Sequence, residues 1–540
     1  MKNQFPAEEE TPPFMAGSFI KARATDPGKP LVHFWSNCVG AGRANEGLRA
    51  SWQKQLSRAV QECGFKYLRF HGLFHDDMFV YREENNKPVY NWQYIDDLFD
   101  AMLDMGIRPF VELGFSPKAM ASSNETLMWW NTCTVPPKDY DKWAELVKEF
   151  IRHCQARYGQ EELRRWYFEV WNEPNLDAFF HSTKSKYFEL YKITSLAIKA
   201  VDPELRVGGP ATSNFVPDTR FDGETEDRKI ASLSLNKDPD TLSWRPVWVE
   251  QFLEWCKKNK LPVDFISTHP YPTDFALDGH GVFRGVSRKK EAVVEDMRLL
   301  KKIVLNSGYP KAEIHCTEWS SSPSSRDHAH DFPQAGTYAV FANLEGAGLI
   351  DSLSWWAFTD IFEEGGAGDS VWHGGFGLLN FQGIDKPAYN AYKFLHQLGT
   401  EIISQSPGYI VTRHPSGHLT SILYNYPDEV PASAPMAKIP EEARTILRQG
   451  KPREVKFNLS GLPSRASFAV ETMDADSGWA RGVWEQIGSP EPPTRVQVEY
   501  LKQASQPRLS FCTATAEGVL DLKLTLNPWA VVLINQIELR

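Results

Sequence analysis

Tyr167-Phe168-Glu169-Val170-Trp171-Asn172-Glu173-Pro174 reads as a short strand that runs out on a carboxylate. Tyr167–Val170 is the predicted strand, in an apolar run to Trp171 that is too short for a helix. Pro174 cannot extend a ladder and stops it. A helical pattern over Tyr187–Val201 follows. The same beat of strand then helix extends in both directions. Upstream, strands are predicted at Val32–Trp35, Lys66–Phe70 and Arg108–Leu113. Their helices are Leu48–Cys63, Ile95–Met105, and a run after Asp139, a predicted N-cap, with Trp143, Leu146, Val147, Phe150 and Ile151 on one face. Downstream, strands at Leu205–Gly208, Val263–Thr268 and Glu313–Thr317 precede helices at Val247–Lys258, Glu291–Val304 and Gly336–Glu345. Ile350–Phe358 is the eighth strand, and Pro387 opens the helix that Gly399 ends. Eight such units predict an α/β fold, a closed (β/α)8 TIM barrel over residues 30–398.

The pattern changes after Gly399. Val455, Phe457 and Leu459 alternate with polar residues, as do Leu522, Leu524 and Leu526. Period-two alternation predicts antiparallel strands, here a C-terminal β-sandwich over 399–540. A strand from 14–29, centred on Ser18–Ala22, is expected to join it. The sandwich is read as a buttress for the barrel rather than a carbohydrate binder. Three segments fit no element: 216–246, 275–290 with its glycines, and the Pro- and Ala-rich 427–453. The first two follow barrel strands and read as pocket walls, subunit contacts or plain surface insertions.

Composition narrows the class of function. Lys+Arg 59 against Asp+Glu 69 gives a net charge of −10, with no basic run to neutralise phosphates. Nucleic acid and an anionic membrane surface are therefore not expected partners, and no stretch approaches a transmembrane length. Eighteen Trp residues, a high number, suit flat surfaces that bind rings. The seven cysteines are odd in number, widely spaced and without a CxxC pair. They predict reduced thiols, no zinc site, and a cytoplasmic protein, or an exported one whose signal peptide is not in this sequence.

In a barrel the reactive side chains sit where strands end. Those positions carry Ser36-Asn37, then Arg69, His71 and Gly72, then Glu112, Asn172-Glu173, His269-Pro270-Tyr271, Glu318-Trp319, and Trp355, Trp356 and Asp360, with Glu363-Glu364 beyond. Two carboxylates facing each other across a pocket can cleave a glycosidic bond. Glu173 is the first candidate. For the second, Glu112, Glu318, Glu363 and Glu364 compete. Strand seven lies across the ring from strand four, which favours Glu318. Glu363 and Glu364 stand further out in a Gly-rich loop that suits binding, and Glu112 reads as structural support. Asp327, His328 and His330 look like a metal cluster but lie in a polar stretch that reads as a solvated loop, as do His75, Asp76 and Asp77. No metal or cofactor is expected.

With these residues in place the sequence resembles glycoside hydrolase family 39, over nearly its whole length. The stretches that carry the resemblance are His33–Gly40, Arg69–Gly72, Glu112–Pro117, Trp171–Asn175, His269–Pro272, Thr317–Trp319, and Trp356 through Glu364. The resemblance implies a retaining mechanism with Glu173 as acid/base and Glu318 as nucleophile. Glu173 would need a pKa raised by burial and a negative neighbour, and Glu318 would need donors, Tyr271 among them. Asn172 would hold the sugar 2-hydroxyl. The family's substrate contacts map onto His71, Trp130, His269, Trp356, Glu363 and Glu364. Trp130 and Trp356 could also be core aromatics, and His71 and His269 satisfied structural histidines.

The family includes β-xylosidases and α-L-iduronidases. A uronic carboxylate calls for Arg or Lys in the pocket, and the Glu363-Glu364 loop points instead to a neutral sugar. The expected substrate is a short xylo-oligosaccharide or other glycoside, with xylose released from the non-reducing end. Arabinose, galactose or glucose stay open as the sugar, as does a homo-oligomeric state. Two other classes remain as alternatives: a carbohydrate-binding barrel without catalysis, and a metal-dependent sugar isomerase.

Overall fold

Asp139 Oδ1 accepts hydrogen bonds from the Asp141 and Lys142 backbone N–H at 3.0 and 3.1 Å. The helix Tyr140–Tyr158 therefore starts where a capping carboxylate satisfies its orphan donors. All five residues of its predicted apolar face are buried. At about 1.5–3 kcal/mol per buried large apolar side chain, that face fixes the helix against the sheet. This is a computed structural model, and it describes residues 18–217, 243–277 and 283–537.

The eight barrel strands are Cys38–Arg43, Tyr67–His71, Arg108–Leu113, Tyr167–Val170, Arg206–Ser213, Phe265–His269, Glu313–Trp319 and Ser352–Trp355. They are hydrogen-bonded in chain order, all parallel, and the eighth closes on the first through Trp355 and Val39. The third and fourth strands match the sequence reading residue for residue. The first does not. Val32–Trp35 is not a strand; Phe34–Ser36 is a 3-10 turn, and the strand begins at Cys38. Leu31, Phe34 and Trp35 are buried in the core beneath the barrel helices, so their apolar signal reports packing rather than pairing. The real strand, Cys-Val-Gly-Ala-Gly-Arg, is built of small residues that leave no period to read.

Two sheets follow. Ser18–Arg23 pairs in parallel with Arg453–Ser460, which pairs antiparallel with Leu520–Leu526. Facing them is a seven-stranded sheet built from Lys29–Pro30, Glu401–Ser406, Tyr409–Arg413, Leu419–Tyr424, Val531–Ile537, Ser467–Met473 and Arg508–Thr513, in that order. Ile20, Val411, Leu423, Phe457, Phe468 and Ile534 fill the space between them. The alternation that predicted a sandwich is thus an inward face of one sheet meeting that of another.

The segment 427–453 carries a helix, Pro440–Leu447, which its Pro and Ala content had not suggested. Ahead of that helix, residues 431–437 form a strap over the barrel. Ser433 N–H donates to Arg288 O and its hydroxyl to Pro272 O, and Ala437 N–H donates to Asp327 Oδ1. Most of 216–246 and part of 275–290 lie outside the described residues. Their described ends pair as short hairpins, Phe215–Pro217 with Trp244–Pro246 and Thr273–Leu277 with Phe283–Ser287.

The expected solvated loop at Asp327–His330 is instead interior. Asp327 caps the turn His328–Asp331 and, with His330 and Asp331, is buried. Polar residues of this kind are hidden only because distant partners neutralise them, which a local reading cannot see. Lys386 Nζ lies 2.8 Å from Asp331 and 2.7 Å from Asp360, all three wholly enclosed. Arg481, from a helix of the C-terminal region, joins at 3.3 Å. Burial disfavours the Asp331 carboxylate, but Lys386 and Arg481 hold it down to about 2. Among the described residues no helix is long and apolar enough to cross a membrane.

Lys386→Met would strand the buried Asp360 carboxylate and leave Asp331 with Arg481 alone. A loss of about 3–5 kcal/mol is expected, read as a lowered urea midpoint in circular dichroism.

Candidate active site

Alternation along a strand sends every second side chain into the barrel. Arg69 of the second strand points there and is fully buried. Its Nε donates to Glu169 Oε2 at 2.6 Å, its Nη1 to Glu318 Oε1 at 2.5 Å, and its Nη2 to Asn172 Oδ1 at 2.8 Å. Glu112 Oε2 lies 3.0 Å from Nη2. One guanidinium therefore ties strands two, three, four and seven. Because arginine only donates, Asn172 must turn its Oδ1 inward, and its amide N–H groups are left for the pocket.

Trp171 and Glu173 have φ of 71° and 45°. Non-glycine residues in this left-handed region are strained, and strain of this kind gathers at functional sites. Surrounding bonds hold it: Trp171 N–H donates to Leu113 O, and Glu173 N–H to Ala211 O at 2.8 Å. The turn aims Glu173 at the barrel axis, where its Oε1 meets His269 Nδ1 at 2.8 Å. His269 Nδ1 is also 3.7 Å from Glu318 Oε2. Tyr271 donates its hydroxyl to that same oxygen at 3.1 Å. A carboxyl oxygen of Glu173, a ring nitrogen of His269 and a carboxyl oxygen of Glu318 all lie within 4.8 Å of one another.

Burial pushes the Glu173 carboxyl up to about 7, against the opposing pull of Ser213, His71 and Arg69. The expected rise is present; burial leads it, and the neighbouring charges that act on it are not the negative one anticipated. Burial also pushes Glu112 up to about 8 despite Arg69 beside it, and brings His71 and His269 down to about 4. The two histidines are thus neutral at pH 7. Glu364 is pushed well up by burial and then by Glu318, Glu173, Glu46 and Glu112.

His71 Nδ1 lies 2.6 Å from Glu112 Oε2, and its Nε2 faces Glu318 at 3.8 Å and Glu364 at 3.7 Å. The Trp356 ring lies 4.7 Å from the His71 ring and 5.6 Å from the Arg69 guanidinium. Glu173, Glu318, Asn172, His269, Tyr271, His71, Trp356 and Glu364 therefore converge. Glu363 and Trp130 stand one layer out, around Arg43. Arg43 binds Asp77 and also Glu363 at 2.9 Å, and lies 5.2 Å over the Trp130 ring. Arg49 takes the other Glu363 oxygen at 2.5 Å. His75 and Asp77, read as a solvated loop, are half-buried against this group.

The chain matches the model of the glycosyl hydrolases family 39 over residues 18–520. It belongs to that family. As a family 39 member it is a retaining glycoside hydrolase. A β-xylosidase of Caldicellulosiruptor saccharolyticus is 36% identical over 88% of each chain. One of Geobacillus stearothermophilus is 33% identical over 94% of this chain and 93% of its own. The crystal structure of a family 39 enzyme from Xanthomonas axonopodis pv. citri superposes with a TM-score of 0.83 at 32% identity, covering 97% of this chain and 98% of that one.

Sequence reasoning assigned no role to Arg69, Glu169, Thr317 or Arg43 in this family 39 site. A charged residue inside an otherwise apolar strand, as in Tyr-Leu-Arg-Phe-His and Tyr-Phe-Glu-Val, was the available signal. Trp356 can lie where it does because Gly40 has no side chain. A Cβ there would stand 2.3 Å from Trp356 Cε3. Gly40→Ala should shift the indole and lower activity on aryl glycosides about tenfold or more, with about 1–3 kcal/mol lost from stability by overpacking; kinetics together with a thermal melt checks both.

Proposed function

We propose that the protein is a β-D-xylosidase that removes xylose from the non-reducing ends of short xylo-oligosaccharides, through a covalent glycosyl-enzyme. The observation that carries this is the Glu173–Glu318 pair, with oxygens within 4.8 Å. A retaining pair is separated by about 5–5.5 Å between carboxyl groups, whereas an inverting one leaves about 6.5–9.5 Å for water.

Glu318 is the nucleophile. Arg69 and Tyr271 donate to its two oxygens, so its charge is held on rigid partners while one lone pair is used. Glu318 attacks the anomeric carbon as the glycosidic bond breaks, and Glu173 gives its proton to the departing oxygen. In the second half Glu173 takes a proton from water, the water oxygen bonds to the anomeric carbon, and Glu318 leaves as a carboxylate. Asn172 offers its free amide to the 2-hydroxyl, and Trp356 a flat face to the ring.

The cations at the pocket, Arg69 and Arg43, are already matched by carboxylates. Among the described residues a uronic acid would find no spare positive charge there, which supports a neutral glycone. The names of the two similar β-xylosidases support xylose. His71, His269, Trp130, Glu363 and Glu364 are assigned as the rest of the binding set, with Glu363 and Trp130 acting from the outer layer. Residues 30–398 form the catalytic unit, and 399–540 with the strand Ser18–Arg23 its support. All seven cysteines are free and six are buried, which favours a reducing cytoplasm.

Glu318→Ala should abolish turnover of nitrophenyl β-xyloside. Glu173→Ala should cost about 10²–10⁴-fold on alkyl xylosides and far less on dinitrophenyl xyloside; equal losses on both would remove its acid role. Because the acid must carry its proton, kcat/KM should fall as pH rises through about 7. Turnover should be unchanged in EDTA, although the Glu173–His269–Glu318 trio has a spacing that could suit a divalent ion. A panel of nitrophenyl glycosides decides the sugar: xyloside should lead in kcat/KM, and a lead by arabinoside, galactoside or glucoside would overturn the assignment.

A further inference from the structure

His269 is held from both sides. Its Nδ1 is 2.8 Å from Glu173 Oε1, and its Nε2 is 3.1 Å from Thr317 Oγ1. Thr317 has one hydroxyl proton and donates it to Glu169 Oε1 at 2.8 Å. Glu169 takes the Arg69 Nε–H on its other oxygen and is wholly buried. A carboxylate held this way accepts and does not donate. Thr317 Oγ1 must then accept from His269, so Nε2 carries the hydrogen. A neutral imidazole protonated at Nε2 has a bare lone pair at Nδ1. Two lone pairs cannot face each other at 2.8 Å, so the proton between them belongs to Glu173.

We propose that Glu169 and Thr317 are positioning residues that lock His269 in its Nε2–H tautomer and thereby keep Glu173 protonated in the resting enzyme. The proposal rests on the glycosidase reading above and deepens it. Three shifts agree with it, and burial is the largest influence at each of the three groups. Burial brings His269 down and raises Glu173, and at Glu169 it is overcome by Arg69, which holds that carboxyl below the usual carboxylate range. The groups facing this pair are Glu318, Arg69, Glu169, Glu112 and His71 around His269, and Glu318, His71, Arg69, Glu112, Glu364 and Tyr271 around Glu173, with the Ser213 hydroxyl also bonded to Glu173.

The lock serves both half-reactions. In the first, the glycosidic oxygen of the substrate draws the proton away from Nδ1, its O–H bond forming as the bond to the anomeric carbon breaks. Glu173 is then a carboxylate pressed against an imidazole lone pair. That repulsion makes it a stronger base, which it relieves by taking a proton from the attacking water. Without the lock, His269 could turn Nδ1–H toward Glu173 and stabilise the carboxylate, which would leave less of it protonated for the first half-reaction and make it a weaker base in the second.

Nitrogen NMR of histidine-labelled resting enzyme at about pH 6 reads the tautomer directly, with His269→Phe to assign the signal. An unprotonated Nδ1 and protonated Nε2 are expected. In Thr317→Val, the alkaline limb of kcat/KM for an alkyl xyloside should move about one unit toward acid, a tenfold loss at about pH 7.5. Dinitrophenyl xyloside should be affected less than about twofold, since it needs little acid help. The acid limb should stay in place, and Thr317→Ser should restore the profile. A purely structural role would lower activity at every pH and leave the limb where it was. A folded Thr317→Val with an unmoved alkaline limb, or Nδ1–H in the wild-type spectrum, overturns the proposal. If wild-type enzyme turns over no xyloside, the assigned substrate fails while the spectrum still decides the tautomer.

Discussion

Arg69 sits at the barrel axis with Glu112, Glu169 and Glu318 all within 3.0 Å of its guanidinium. None of these groups is reachable by bulk water to any useful extent, so each charge must be answered by another. One cation cannot answer three anions. Glu112 accordingly keeps a proton well into the neutral range, while Glu169 does not. The guanidinium's planar fork also sets direction. It turns Asn172 so that the amide faces outward, fixes one oxygen of Glu318, and anchors the Glu169 that receives the Thr317 hydroxyl. A lysine could supply the charge but not these three directions at once.

How much of this could be read beforehand depended on whether the signal was local. The fourth strand and its carboxylate were legible because an apolar run ending in Asn-Glu-Pro has few other readings. The helix after Asp139 was legible because capping and a 3.6-residue period agree. The first strand was lost because its glycines and alanine have no period, and because Phe34 and Trp35 nearby carry a stronger apolar signal. The buried run around Asp327 was lost for a different reason. Its polarity looks like a surface, and Lys386 and Arg481 arrive from about 55 and 150 positions further along the chain.

The site divides in the same way. Glu173 and Glu318 could be picked out as residues at strand ends, and Tyr271 as a donor to Glu318 holds in the geometry. The partners that set protonation could not, because they meet only when the ring closes. Trp130 and Glu363 could be named but not ranked. Only coordinates show that Arg43 and Arg49 already occupy both oxygens of Glu363.

The strap at 431–437 means that the two halves of the chain were shaped together. Ser433 holds the backbone of Pro272, the residue after Tyr271, and Ala437 holds the turn beyond Glu318. A barrel grafted onto another relative's sandwich would inherit its carboxylates intact but lose the brace on the loops that frame them. Exchange of whole modules between relatives is therefore constrained here by a few hydrogen bonds, and inheritance of the two halves as one unit is the simpler course.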